Sequence, residues 1–316
     1  MITRIGKDIG YAASLLRNGE LVAIPTETVY GLAGNALDNE AVLGIYEAKQ
    51  RPRFNPLILH LPDFSVVDKY VTEIPEDANI LSKQFSPGPI SFLLPKSAIV
   101  PDLVTAGSDK VVIRIPSHPM ALELLRMLAF PLAAPSANPF GYISPVSAMH
   151  VLEGLGGKIP YILDGGTCTV GLESTIVGFE NNEIIIHRLG GITVEDIRRI
   201  AGKEPRLSLS HKQPETPGQL KSHYAPSTKL LSGDVYALIK QNTGKKVAVI
   251  SFRNKYPEVE DNYILSPSGN LHEAASNLFS ALRELDKKEV ELILAEKFPD
   301  EGIGRAINDR LSRASG

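Results

Sequence analysis

The residues able to do chemistry are gathered in a few short stretches, and the densest of them is Lys49-Gln50-Arg51-Pro52-Arg53. It places three cations within five residues, with no acid among them. Just before it, Pro25-Thr26-Glu27-Thr28 is a hydroxyl-rich turn carrying one carboxylate. Just after it, Asn55-Pro56 leads into an apolar run, Leu57 to Leu61, that contains His60. Arg114 stands among valines and isoleucines, where an arginine is costly unless paired. Ser136-Ala137-Asn138, Glu173-Ser174-Thr175 and Arg188 adjoin other apolar runs. Arginine matches phosphate or carboxylate oxygens two at a time, and serine and asparagine add neutral donors. Such a set suits a small anionic ligand. Each part also has a plainer explanation: cations balancing a helix C-terminal dipole, Arg114 paired with Glu27 or another acid, and Ser-Ala-Asn as ordinary turn chemistry.

Familiar catalytic signatures are absent. The chain has no His-Glu-x-x-His, no cysteine cluster, no Gly-x-Ser-x-Gly and no Walker lysine loop. Read from residues alone, the chemistry stops at an α/β protein with cations and hydroxyls at strand ends.

The elements that must position these groups follow from periodicity and punctuation. Leu21–Ile24 and Leu57–Leu61 read as neighbouring strands, joined through a helix over Asn39–Lys49 whose Val42, Ile45 and Tyr46 share a face. Proline at 52 disfavours helical geometry at Arg51. Gly31 and Gly34 lie in a small-residue segment where backbone can approach a ligand closely. Further strands are expected at Ile90–Leu94, Val111–Ile115, Pro131–Pro135, Tyr161–Leu163, Ile176–Phe179 and Glu183–His187. Helices are expected near the start of the chain and over 78–85, 119–128, 148–155 and 194–201. Short strands mixed with helices imply a twisted, largely mixed-direction sheet with helices packed on it. Residues 202–228 are polar and proline-rich, a linker by composition. They also contain Lys221, His223 and Tyr224, which an inert spacer would not need. Residues 229–316 alternate strand and helix, as in a small parallel α/β domain.

Several of these segments together resemble one family. Pro-Thr-Glu-Thr-Val-Tyr-Gly-Leu at 25–32, the Lys49-x-Arg51 loop, Asn55-Pro56-Leu57, Pro135–Asn138, Glu173–Val177 and Arg188–Gly190 look like the YrdC-like domain of threonylcarbamoyl-AMP synthases. Pro217–Pro226 resembles the linker of the two-domain members, and Gly302–Ala314 their last helix. The resemblance implies a YrdC-like domain over 1–208, a strap over the active site at 209–228 and a Rossmann-like domain over 229–316. It implies that L-threonine and bicarbonate (or CO2) form a carbamate, which attacks the α-phosphate of ATP to give threonylcarbamoyl-AMP and pyrophosphate. The product would serve proteins that transfer the threonylcarbamoyl group to tRNA. By the same resemblance Lys49, Arg51, Asn55, Lys110, Ser136, Asn138, Ser144, Arg188 and Tyr224 line the nucleotide side, with Lys49 and Arg51 catalytic. Thr28, His60, Arg114, Ala134 and Ser174 line the threonine side. Mg2+ would be carried by the phosphates of ATP, since no carboxylate cluster announces a protein cage. Two rival readings are a non-catalytic tRNA- or RNA-binding module on the same scaffold and a carbamoyl transferase acting on carbamoyl phosphate.

Composition sets the outer limits. At 316 residues two domains are expected. A net charge of −3 gives no global attraction to nucleic acid, so tRNA binding, if present, would be weak. One cysteine, Cys168, excludes an intramolecular disulfide, and no apolar run approaches a membrane span of about 20 residues. A cytoplasmic protein with no membrane partner is the expectation.

Overall fold

The computed structural model describes residues 1–209, 216–218 and 224–316. Lys221 and His223 lie outside the described residues. Two sheets organise the chain. The larger has eleven strands, and its middle runs Gly31–Asn35, Leu132–Ala133, Ile58–His60, Lys110–Arg114, Ile90–Pro95, Thr175–Glu180 and Glu183–Arg188. Arg4–Gly6, Tyr161–Leu163 and Val22–Ile24 extend it on one side and Arg206–Leu207 on the other. Its pairings are of both directions, as the mixed pattern of short strands and helices implies. The smaller sheet is all parallel: Leu230–Gly233, Leu292–Glu296, Val247–Ser251 and Asp261–Ile264. Helices Leu271–Asp286 and Gly304–Ala314 belong to it. Among the described residues no helix is long and apolar enough to cross a membrane.

Register places the site. Ile58–His60 runs parallel to Lys110–Arg114 with His60 opposite Arg114 and Ile58 opposite Val112. Side chains alternate along a strand, so these four share one face. Ile58 and Val112 cluster there with Leu93 and Ile176. Leu57, Leu59, Leu61, Val111 and Ile113 point the other way, into the main core. Arg114 and His60 therefore occupy the polar end of an otherwise apolar face.

The helix Asn39–Lys49 has the expected bounds, capped by Asp38, whose carboxylate accepts from the Glu40 amide at 2.9 Å. Its end differs in cause from the sequence reading. Gln50 adopts a left-handed conformation (φ 54°), and the chain reverses at that residue, one before Arg51. The Arg51 amide then returns to the Tyr46 carbonyl at 2.8 Å. Gly31–Asn35 is a strand, which its small residues did not announce. Gly34 serves packing rather than a ligand: a Cβ there would lie 3.0 Å from Leu21 Cδ2 and 3.3 Å from the Ala41 carbonyl. Cys168 is buried, and burial first, then the nearby Glu27 carboxylate, pushes its thiol up to about 12, as for an inert core residue.

The Asp38 cap gives a test of how the cationic loop is supported. Asp38→Ala should lower stability by about 1 kcal/mol, read from urea unfolding midpoints. A loss near zero would mean that packing alone fixes this helix.

Candidate active site

A cleft of about 510 Å3, its mouth included, opens on the polar end of that face. Its walls include Thr26 and Val29 of the hydroxyl turn, Gly31, Ile58, His60 and Arg114 from three strands, and Ala134-Pro135-Ser136. Arg51, Glu173 and Arg188 complete the walls, and Pro217, Gly218 and Tyr224 of the linker also border it.

Three arginines reach this one cavity, and each is buried to within a few per cent: Arg51 6%, Arg114 4% and Arg188 5% exposed. Each is held by hydrogen bonds to polar groups behind it. Arg51 donates Nε to the Asn55 carbonyl at 3.1 Å and Nη2 to Asn55 Oδ1 at 2.7 Å and the Pro56 carbonyl at 2.8 Å. Arg188 donates Nε to the Ser174 carbonyl and Nη2 to Ser174 Oγ, both at 3.0 Å, and Nη1 to the Pro217 carbonyl at 3.3 Å. Arg114 donates Nη2 to Glu27 Oε1 at 2.7 Å, while its Nε is buried with no partner among the described residues. The Glu27 pair that would explain Arg114 structurally thus exists, and Arg114 still faces the cavity. Burial first, with the like charges of neighbouring arginines adding to it, lowers both Arg51 and Arg188 to about 10.

His60 donates its Nδ1 proton to the Ile58 carbonyl at 3.2 Å, since a carbonyl can only accept. That leaves Nε2 as an acceptor on a neutral ring. Burial, reinforced by Arg114, lowers its pKa to about 3. In the turn, Thr26 Oγ1 donates to the Val29 carbonyl at 2.6 Å and accepts from the Thr28 and Val29 amides. Thr28 Oγ1 lies 2.8 Å from it and supplies the remaining proton.

The structure sorts the expected site residues into two groups. Arg51, His60, Arg114, Ala134, Ser136, Arg188 and Tyr224 line the cleft. The others stand behind its walls. Lys49 is buried, its amine bonded to the Ser136 and Asn138 carbonyls, both at 2.5 Å, and burial first and Arg51 second hold its pKa well below the usual lysine range. It fastens the Pro135–Tyr142 loop, together with Asn138, whose Nδ2 donates to the Pro139 and Tyr142 carbonyls. Asn55 and Ser174 hold Arg51 and Arg188, Thr28 backs Thr26, and Ser144 donates to Glu173 Oε1 at 2.5 Å. Lys110 is set apart: it starts the strand that Arg114 ends and pairs with Glu180 at 2.8 Å.

Thr26 and Glu173 were not named as site residues from sequence, although the motifs around them were, whereas Pro217 and Gly218 fall in the segment expected to strap the site. Thr26 and Glu173 sit beside flagged residues, and nothing in the sequence shows which neighbour turns inward. Glu173 is buried with both oxygens engaged, by Ser144 and by Arg310 Nε at 2.8 Å. The cavity wall therefore keeps cationic and hydroxyl groups for a ligand and spends its carboxylate on the protein.

Known proteins resemble the chain over nearly its whole length. Residues 14–190 match the Sua5/YciO/YrdC family model, whose description is "Telomere recombination", and residues 192–316 match that of the threonylcarbamoyl-AMP synthase C-terminal domain. The threonylcarbamoyl-AMP synthase of Pyrococcus abyssi is 42% identical, with 98% of this chain and 94% of that protein covered. The Bacillus subtilis enzyme of the same name is 41% identical, covering 98% and 93%. The crystal structure of P. abyssi Sua5 complexed with L-threonine superposes with a TM-score of 0.92 at 40% identity, covering 100% of this chain and 98% of that one.

The neutral His60 makes acid stability testable. Its ring stays unprotonated in the fold down to about 3, whereas the unfolded chain takes up a proton near the ordinary 6.5. Between those values the unfolded state binds more protons, so this group contributes a loss of stability as pH falls from 6.5 towards 3 and none above. His60→Gln should lose less stability than the wild type between about pH 7 and about pH 5, read from urea midpoints. Equal losses would mean that the ring titrates alike in the folded and the unfolded chain.

Proposed function

The chain belongs to the Sua5/YciO/YrdC family and carries both domains of its two-domain members, and we propose that it is an L-threonylcarbamoyladenylate synthase. On this reading it is a nucleotidyltransferase that joins L-threonine, bicarbonate or CO2, and ATP, with loss of pyrophosphate. Its product feeds the proteins that place the threonylcarbamoyl group on tRNA. The observation that carries the reading is the convergence of three buried arginines on one cavity whose carboxylate is already engaged.

The reaction brings two anions together. The threonine amine takes up CO2 to become a carbamate. A carbamate oxygen then attacks the α-phosphorus of ATP, a bond to phosphorus forms, and the bond to the β-bridging oxygen breaks, releasing pyrophosphate. Like charges repel on approach, so catalysis rests on positioning and charge neutralisation rather than on a covalent nucleophile. Arg114 holds the threonine carboxylate, and Arg51 and Arg188 hold phosphate oxygens. The neutral His60 offers its Nε2 as an acceptor to the threonine hydroxyl or amine. Lys49, Asn55 and Ser174 act from behind by fixing the groups that touch substrate. Magnesium would be carried by the phosphates of ATP. When bound it neutralises phosphate charge. The linker corner at Pro217–Gly218 and Tyr224 roofs the cavity, and its opening admits ATP and releases product.

A tRNA-binding module is disfavoured by where the cations sit. A surface that tracks a phosphate backbone needs exposed cations, and these are buried. The deciding experiment is pyrophosphate release from ATP with threonine and bicarbonate each omitted in turn. Release that needs both supports the synthase. Salt-sensitive tRNA binding without pyrophosphate would support the module, and amino-acid-independent turnover of carbamoyl phosphate would support a carbamoyl transferase.

Two variants in substrate or protein sharpen this. Arg51→Ala should reduce kcat/KM for ATP by about 1.5–3 kcal/mol in transition-state free energy while the protein stays folded. Unchanged kinetics would remove Arg51 from the site. L-Serine should be a better alternative substrate than L-valine, because a site built to bond a hydroxyl rejects the analogue lacking one. Equal turnover of the two would show a pocket selecting on shape alone.

A further inference from the structure

The C-terminal domain is joined to the N-terminal one by several polar contacts, and most of them touch nothing in the cleft. Arg283 Nη2 donates to the Ile143 carbonyl at 2.5 Å, Tyr142 Oη to Asp286 at 2.8 Å, and Arg305 pairs with Glu195 at 2.9 Å. Arg310 is different. It lies on the last helix, Gly304–Ala314, and is wholly buried. Its Nε donates to Glu173, the carboxylate of the cavity wall, at 2.8 Å. Its Nη2 donates to the carbonyl of Leu189, the residue after Arg188, at 2.8 Å, and its guanidinium sits 4.9 Å over the ring of Tyr224, another wall residue. Its Nη1 is held by Asp309 at 2.6 Å, and Asp309 is held in turn by Arg313.

We propose that Arg310 is a positioning residue of the nucleotide subsite, supplied by the C-terminal domain. Resting on the synthase reading above, this gives that domain a part in the reaction. The argument is one of charge. A carboxylate on the wall of a cavity that receives a triphosphate repels its ligand unless it is neutralised. Ser144 caps one oxygen of Glu173, and Arg310 caps the other and supplies the balancing charge. The same guanidinium fixes the ring of Tyr224 and the backbone beside Arg188. Removing it strands Glu173 as an uncompensated anion facing the phosphates. An interface contact of purely structural value would instead affect both substrates alike, or only folding.

The test measures kcat and KM for ATP and for L-threonine separately in full-length protein. It compares the wild type with Arg310→Met, the double variant Arg310→Met/Glu173→Gln, and Arg283→Met. Arg310→Met should raise KM for ATP by about tenfold or more with KM for threonine unchanged. Adding Glu173→Gln should bring KM for ATP back towards the wild-type value, because the stranded charge is gone. Arg283→Met removes a domain contact none of whose partners lines the cleft and should leave both KM values in place. The ATP-induced rise in melting temperature, read on the same proteins, should be lost in Arg310→Met and kept in Arg283→Met. Should Arg310→Met not fold, the charge-removing Arg310→Gln carries the same test: a raised KM for ATP supports the role and a wild-type value overturns it. A wild-type KM for ATP in Arg310→Met, matching losses in Arg310→Met and Arg283→Met, or no recovery in the double variant would each overturn it. Absence of pyrophosphate release from the unsubstituted protein is a separate outcome and overturns the synthase reading itself.

Discussion

Keeping three guanidinium groups in one cavity, almost out of water, is the constraint on which the rest depends. A buried cation is costly unless hydrogen bonded, and neighbouring cations make each other worse. Arg51 and Arg188, both lowered to about 10, record that strain. The fold meets it with partners chosen for geometry. Asn55 and Ser174 are neutral, so they orient their arginines without cancelling the charge. Among the described residues, of the three only Arg114 has an ion-pair partner at salt-bridge distance, Glu27. The positive charge left over is what a ligand with several negative oxygens would neutralise.

That arrangement needs the larger sheet to end where it does. His60 and Arg114 face the cavity because their strands run parallel and in register. Arg51 is aimed by a left-handed residue at the end of a capped helix, and the wall opposite is tied down by Lys49. Glu173 is shared between Ser144 of the larger domain and Arg310 of the smaller one. The two domains therefore meet at the wall of the cleft as well as along their surfaces.

Much of this was legible in the sequence. Helix spacing over 39–49, the apolar strand around Arg114 and the parallel character of 229–316 follow from periodicity, and all are present. The family motifs named seven residues that line the cleft. What could not be read was which member of each polar motif faces inward. Thr26 and Thr28 are two residues apart in one turn, yet only Thr26 reaches the wall, because the turn folds around its hydroxyl. Lys49 and Arg51 look equivalent in sequence, but the amine is consumed by two carbonyls of a loop almost ninety residues later. Gly31–Asn35 hides its strand in small residues that exist to let a helix approach. Arg310 reads as one cation in a polar helix, and only the docking of the domains shows where it points. These are tertiary facts, and local pattern does not contain them.

The central claim is that the free sides of Arg51, Arg114 and Arg188 are reserved for substrate anions. A crystal structure with L-threonine and a non-hydrolysable ATP analogue tests it most directly. The account requires the threonine carboxylate on Arg114 and phosphate oxygens on Arg51 and Arg188, with Asn55, Ser174 and Glu27 still holding the guanidiniums from behind. A triphosphate bound elsewhere, with the three arginines unchanged and unoccupied, would contradict it.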